Sequence, residues 1–332
     1  MRSRIPTSLG LYIDMGTTHT RVWFLKERSI IARTHARLGV QDAACAGSTD
    51  KLRAGLRNLL MQTRSEALQK GCREEPAFVM AAGMLTSSLG LEEIPHLSAP
   101  AGLNELAAAV QTRHFADVAE LPFLLVPGVR TEHPDDPFAE RADTMRGEET
   151  LCVGLAATGV LPHSSTLMNL GSHWKAIRLD EQGRIAGSIT SLSGEMLHAA
   201  HRATILSDSL PQQWPSRLEP AWIDAGMAEQ RVGGLPRALF CVRLLEQLRQ
   251  TSPGQRFAFL CGAFIAADLD ALAKKTLAPG THVVLAGNSP LVDAWHHALR
   301  KVRISVRALS VSEVETGFLE GLRTIASHRT PH

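Results

Sequence analysis

No Walker-type GxxxxGK[ST] string occurs in this chain, and no GxGxxG. The commonest phosphate-loop and dinucleotide-binding signatures are therefore absent. The five cysteines, Cys45, Cys72, Cys152, Cys241 and Cys261, form no CxxC pair, which removes the zinc ribbon and the redox dithiol. An odd number of scattered thiols fits a reducing compartment, and a cytoplasmic location is expected. Charge excess is also lacking, with 35 Lys and Arg against 33 Asp and Glu. That balance offers no field for gripping nucleic acid and no basic helix for a membrane surface. No apolar run is long enough to span a bilayer, and no signal peptide is read ahead of Asp14. The basic residues near the N-terminus, Arg21 among them, are scattered as on a solvated surface. Histidine pairs at His198/His201 and His296/His297 lack a third ligand and read as helix-surface residues rather than a metal site.

What is present is a chain of 332 residues, 44% hydrophobic, enough for about two domains with substantial cores. Residues 9–32 (LGLYIDMGTTHTRVWFLKERSIIA) and 164–186 (SSTLMNLGSHWKAIRLDEQGRIA) read as two copies of one unit. Each is an apolar run, an acid or its amide, one residue, a glycine and a hydroxyl residue, followed by two further apolar runs across a charged turn. The spacing from Gly16 to Ile30 equals that from Gly171 to Ile185. Three antiparallel strands are predicted at 11–13, 21–25 and 29–32, and a helix over 50–70 with Asp50 as N-cap and Gly71 as stop. Strands are predicted at 76–84 and 121–129, then a loop over 130–145 with Pro134 and Pro137 among its acids. A helix is predicted from about Met145, and a domain boundary near Pro162 and Ser164. The second half repeats the hairpin and continues with helices near 194–206, 223–229 and 236–250. Strands near 257–261 and 282–286 and a terminal helix over 312–327 complete an α/β pattern.

Asp14-Met15-Gly16-Thr17-Thr18 closes a strand into a tight turn. A glycine there lets the backbone approach a phosphate, and Thr17 and Thr18 offer hydroxyls and amides to its oxygens. Asp14 is a candidate Mg²⁺ holder, acting through water; the alternative is an Asx-type turn with no ligand. The second turn, Asn169-Leu170-Gly171-Ser172, carries the amide in place of the acid. His173 and Lys175 follow it, either to neutralise phosphate charge or as a solvated strand edge. At Gly287-Asn288 a buried strand ends in a turn able to accept a purine ring, or in a routine strand–helix connection. Arg146-Gly147-Glu148-Glu149 opens a helix. Two carboxylates and an arginine there suit a general base and an anion clamp, or simple matching of the helix dipole.

Taken in order, these residues resemble the actin-like ATPase superfamily and, within it, the 2-dehydro-3-deoxygalactonokinase family. The resemblance runs through IDMGTTHTRVW (13–23), AAGMLTSSLGLEEIPHLSAPAG (81–102), VPGVRTE (126–132), DTMRGEETLCVG (143–154), GSHWKAI (171–177), GSITSLSGEMLH (187–198), FLCGAFIAADL (259–269) and LAGNSPLVDAW (285–295). It implies an α/β fold of two actin-like (ribonuclease H-like) domains, 1–161 and 162–332, with a nucleotide cleft between them. The implied activity is transfer of the ATP γ-phosphoryl group to the C6 hydroxyl of 2-dehydro-3-deoxy-D-galactonate, with ATP and Mg²⁺ as cofactors. Asp14 would organise the metal. Gly16, Thr17, Thr18, Gly171, Ser172 and Lys175 would cradle phosphates, and Gly287 and Asn288 would lie against adenosine. Glu148 would be the base, with Glu149 as rival. Gly83, Met84, Ser87 and Arg146 would meet the sugar acid. A homodimer is compatible with the sequence.

The chain departs from the family pattern at several places. Met15 and Leu91 stand where Trp is usual, His96 where Tyr is usual, and Trp174 precedes rather than follows Lys175. Loss of an indole from the 81–102 stretch removes a flat contact surface from the expected sugar pocket. A kinase for a related keto-deoxy sugar acid, or an inactive nucleotide- or sugar-binding regulator, is the alternative reading.

Overall fold

The structure, a computed structural model, describes residues 9–132, 142–275, 277 and 280–329. Of the loop expected over 130–145, residues 133–141 lie outside the described residues, and its two ends are paired strands rather than loop, Val129–Thr131 and Asp143–Met145. The chain divides into two compact units, residues 1–160 with 316–332, and residues 161–315.

In the first unit, the strands β1 (Gly10–Met15), β2 (Thr20–Lys26) and β3 (Ser29–Ala36) form an antiparallel meander. Helices α1 (Val40–Ala46) and α2 (Asp50–Gln69) follow, then β4 (Phe78–Gly83), which returns parallel to β1. After β5 (Leu97–Ser98), α3 (Leu103–Ala109) and β6 (Gln111–Phe115) comes β7 (Ala119–Leu125), parallel to β4. The sheet order is β3-β2-β1-β4-β7-β6. A small sheet of β5, β8 (Val129–Thr131) and β9 (Asp143–Met145) leads into α4 (Glu148–Ala157). The alternation read in the sequence places Leu11, Ile13 and Met15 in one buried core with Val22, Phe24, Val79 and Ala81. Leu52, Leu56, Leu59 and Leu60 of α2 pack into it, at the helical spacing that predicts their shared face.

The second unit repeats the plan. β10 (Thr166–Leu170), β11 (Trp174–Leu179) and β12 (Ile185–Ser191) form the meander. Helices α5 (Ser193–Ala203), α6 (Pro220–Gly233), α7 (Leu235–Arg249) and α8 (Pro253–Lys275) follow. Then come β13 (His282–Gly287), α9 (Leu291–Lys301) and β14 (Ser305–Ala308). Its sheet order is β12-β11-β10-β13-β14, with β10, β13 and β14 parallel.

Four further expectations need correction. Residues 257–261 are helical, inside α8. A short apolar run does not distinguish a strand from a helix buried on every side, and Phe257, Ala258, Leu260 and Cys261 are each 0% exposed. Met145 is not in a helix but pairs with Val129 at the end of β9, so α4 starts at Glu148. The terminal helix α10 (Val311–His328) does not stay with the second half. From Thr316 it belongs to the first unit, because glycines let α4 and α10 touch backbone to backbone. A Cβ on Gly154 would fall on the Gly317 carbonyl, and one on Gly321 would fall on that of Thr150. Finally, His201 is buried rather than on a helix surface. It is 2% exposed, with its Nε2 2.6 Å from the Pro211 carbonyl oxygen.

Candidate functional site

The first turn is built by the β1–β2 hairpin. Asp14 stands opposite Arg21 in the antiparallel register, and its Oδ2 accepts from Arg21 Nη1 at 2.9 Å. Arg21 is therefore the ion partner of the candidate metal residue, not scattered surface charge. The Gly16 amide donates to His19 O at 2.8 Å and closes the turn. Thr17 is exposed, and its carbonyl accepts the Gln41 amide from the first turn of α1 at 3.0 Å. That helix reaches the turn because Gly39 precedes it: a Cβ on Gly39 would fall on the Thr17 carbonyl.

The second turn has the same construction. Asn169 stands opposite Lys175, so each hairpin sets a base across from its acid or amide. Lys175 is 5% exposed, which excludes the solvated strand edge, whereas His173 is exposed and lies 3.4 Å from Glu195. A Cβ on Gly194, in the first turn of α5, would fall on the Ser172 carbonyl. Gly39 and Gly194, which let a helix pack against each turn, are positions that motif reading missed. The signal was available, since each follows its turn glycine, Gly16 or Gly171, by 23 residues. The equal spacing from Gly16 to Ile30 and from Gly171 to Ile185 conceals two compensating differences. Met15 pairs with Thr20 but Leu170 with Trp174, so the second phosphate-type turn is one residue shorter. The next turn is one longer, Leu179 pairing with Ile185 where Leu25 pairs with Ile30. A bulge falls at the same place in both copies, after Phe24 and after Arg178.

Two further nominated glycines prove to be counterparts. Gly83 ends β4 beside Met15 and Gly287 ends β13 beside Leu170. Gly83 has φ 84°, and a Cβ there would fall on the Met15 carbonyl; at Gly287 it would lie 2.9 Å from Leu170 O. Gly16 and Gly171 differ from these. Neither has positive φ, and a Cβ would meet nothing nearer than 3.6 Å at Gly16 or 3.8 Å at Gly171. The protein's own packing does not call for glycine at either turn, and glycine there leaves the backbone open to close approach. Gly39→Ala and Gly194→Ala, by contrast, are each expected to destabilise their unit by about 1–3 kcal/mol, measured by denaturant unfolding. A Gly16→Ala change is expected to leave that stability nearly unaltered. Asn288 is exposed after Gly287, and its carbonyl accepts the Val292 amide at the start of α9.

Arg146, Gly147, Glu148 and Glu149 bridge β9 and α4. Gly147 (φ 107°) packs on the Gly83 backbone, a Cβ there lying 3.3 Å from the Gly83 Cα. Turn 14–18, Gly83 and the start of α4 are thus brought together within the first unit. Arg146 is committed to the 83–98 segment. Its Nη1 donates to Thr86 Oγ1 at 3.0 Å, and its Nη2 donates to Ile94 O at 2.8 Å and approaches His96 Nδ1 at 3.3 Å. Burial pulls its guanidinium below the usual arginine range. His96, at the usual Tyr position, is therefore a partner of Arg146. Leu91 is a core residue, 6% exposed, and acts on any pocket only through packing. Met84 and Ser87 lie on a single 3₁₀ turn, with Ser87 Oγ donating to Met84 O at 2.7 Å.

The two glutamates separate sharply. Glu148 is partly exposed, and its Oε2 accepts the Arg146 amide at 3.2 Å. Glu149 is 0% exposed. Both of its carboxylate oxygens receive the Gly147 N–H, at 2.8 and 2.9 Å, and Thr150 Oγ1 lies at 3.3 Å. Burial first, then the neighbouring Glu148 charge, pushes the Glu149 carboxyl up to about 8.

Among the described residues no group of three His, Cys, Asp or Glu side chains is arranged to hold a metal ion. The donor set at Asp14 suits only a cation that keeps its water and takes its remaining ligands from substrate. Mg²⁺ does this, commonly using one or two carboxylates plus phosphate oxygens. His297 is engaged with Asp224, 2.9 Å away. No described helix is long and apolar enough to cross a membrane.

The sequence profile of the 2-keto-3-deoxy-galactonokinase family matches residues 14–325. The 2-dehydro-3-deoxygalactonokinase of Escherichia coli (strain K12) is 26% identical over 332 residues, 96% of this chain and 98% of that protein. The crystal structure of a candidate 2-dehydro-3-deoxygalactonokinase from Sinorhizobium meliloti is 24% identical. It covers 94% of this chain and 95% of its own, with a TM-score of 0.73. The activator of the 2-hydroxyisocaproyl-CoA dehydratase from Clostridium difficile, solved with bound ADPNP, is 12% identical. It covers 96% of this chain and 95% of its own, with a TM-score of 0.50. These structures share the mixed α/β fold with two mixed sheets of the actin-like ATPase kind. The chain belongs to the 2-keto-3-deoxy-galactonokinase family, a family of sugar-acid kinases.

Proposed function

We propose that this protein phosphorylates the terminal C6 hydroxyl of 2-dehydro-3-deoxy-D-galactonate from ATP, in cytoplasmic breakdown of galactonate. The observation that carries this reading is the pair of equivalent turns. Gly16 and Gly171 keep open space that their own folds do not need, and each turn is braced by a glycine-started helix from behind. Phosphoryl transfer asks a protein chiefly for positioning and charge neutralisation. In this reading Gly16, Thr17 and Thr18 take phosphate oxygens in the first unit. Gly171, Ser172 and Lys175 do so in the second, where Gly287 and Asn288 lie against adenosine. Asp14 would hold Mg²⁺ through water, and the cation would supply neutralisation of phosphate charge. Glu148 takes the proton as the sugar hydroxyl oxygen bonds to the γ-phosphorus and ADP leaves. Gly83, Met84 and Ser87 meet the sugar acid, and Arg146 serves it by holding the 83–98 segment in place.

The substitutions at 91 and 96 favour one second reading, a related keto-deoxy sugar acid as substrate. A panel of such acids in a coupled ADP-release assay separates the two. The expected result is the highest kcat/KM with 2-dehydro-3-deoxy-D-galactonate and one ADP per sugar phosphate formed. Preference for the gluconate epimer would overturn the substrate assignment. ATP and sugar-acid binding without ADP formation would mark a regulator instead.

A further inference from the structure

The helix α5 is held at the second turn by a carboxylate that lies far away in sequence. Asp268, on the buried helix α8, accepts hydrogen bonds from Ser191 Oγ at 2.5 Å and from Ser193 Oγ at 2.8 Å, one on each carboxylate oxygen. The Ser193 amide in turn donates to Ser191 Oγ at 3.3 Å. These serines are the last residue of β12 and the first of α5. The next residue, Gly194, is the one whose missing side chain lets α5 touch the Ser172 and Gly171 carbonyls. Asp268 also lines a small cavity of about 40 Å³ whose other walls are mostly apolar, among them Met168, Trp174, Ile189 and Leu272. The first unit braces its turn differently. There the Gly39 amide is capped within its own helix by Asp42 Oδ2 at 3.0 Å.

We propose that Asp268 is a positioning residue for phosphate binding: through Ser191 and Ser193 it sets Gly194, and so the height of the Gly171-Ser172 turn, for the nucleotide. The inference rests on the reading of that turn as an ATP phosphate site. A carboxylate with two hydroxyl donors fixes both serines at once. An amide in its place must turn its NH₂ toward one of them. A displacement of about 1 Å at a distance from the chemistry is enough to cost roughly 10²-fold.

Steady-state kinetics of Asp268→Asn and of the Ser191→Ala/Ser193→Ala double variant test it, each checked for wild-type thermal unfolding. The expected result is a rise of about tenfold or more in KM for ATP, with KM for the sugar acid within about twofold of wild type. The triple variant should be no worse than either alone, because all three side chains act as one unit. The Ser→Ala pair decides the matter should Asp268→Asn fail to fold. A folded variant with unchanged KM for ATP would overturn the proposal, and so would equal changes in both KM values. Wild-type protein that neither binds ATP nor releases ADP would overturn the kinase reading itself, and the positioning role with it.

Discussion

Asp14→Ala is expected to lower turnover by about 10²–10³-fold, the usual cost of losing one preorganised electrostatic group at a reacting centre. The effect should fall on chemistry and metal dependence rather than on folding. Asp14 is partly exposed at the end of β1, between the buried Ile13 and Met15, and neither of those apolar anchors is disturbed. Its ion pair with Arg21, at 2.9 Å, joins side chains 18% and 42% exposed, a class of pair worth roughly 0–1 kcal/mol. Thermal unfolding should therefore change little while turnover collapses. Asp14→Asn should behave similarly, since the amide keeps the shape but not the charge. The second copy makes the same point, as it carries an amide, Asn169, at the equivalent place. Measured as kcat against Mg²⁺ concentration, turnover of the alanine variant within about tenfold of wild type would remove Asp14 from the site.

The internal repeat makes much of the fold legible in the sequence. Period-two alternation ending in a glycine and a hydroxyl residue, twice over, specifies two meanders, and the strands at 76–84 and 282–286 supply their parallel neighbours. Legibility fails where burial removes the pattern. Residues 257–261 lie in a helix enclosed by its own unit, so no polar face marks the helical period, and Asp268 is hidden with it. It fails again wherever a contact spans the sequence. The return of α10 to the first unit depends on Gly154, Gly317 and Gly321 meeting, which no local pattern announces. In the candidate site, the residue types are readable and their partners are not. Arg21 reads as surface charge until the antiparallel register sets it across from Asp14. Arg146 reads as an anion clamp, yet its guanidinium is spent on Thr86, Ile94 and His96.

The choice between the two adjacent glutamates rests on burial, and it yields the other large effect. Glu148→Gln is expected to lower kcat by about 10²–10⁴-fold, the range for a lost general base. Glu149→Gln is expected to retain activity within a few-fold near neutral pH. Glu149 is sealed inside α4 with a carboxyl raised to about 8, so it is largely protonated there already. A glutamine oxygen can still accept the Gly147 N–H that shapes the turn in front of Glu148. Glu149→Leu should behave differently. It leaves that amide without an acceptor and is expected to cost about 1–3 kcal/mol of stability. A pH series supplies an independent readout. The folded protein holds the Glu149 proton up to about 8, whereas the unfolded chain releases it near 4.5. Across that window the unfolded state binds fewer protons, so the contribution of Glu149 to stability is full at low pH and lost as pH rises. Glu149→Gln carries no such titration. Its melting temperature relative to wild type should therefore climb from about pH 4.5 to about pH 8. A Glu149→Gln variant that lost activity as deeply as expected for Glu148→Gln, while Glu148→Gln stayed active, would move the base one residue along the helix. Active sites do hold carboxyls raised toward neutrality by burial; here the complete burial of Glu149, set against the partial exposure of Glu148, decides the expected order.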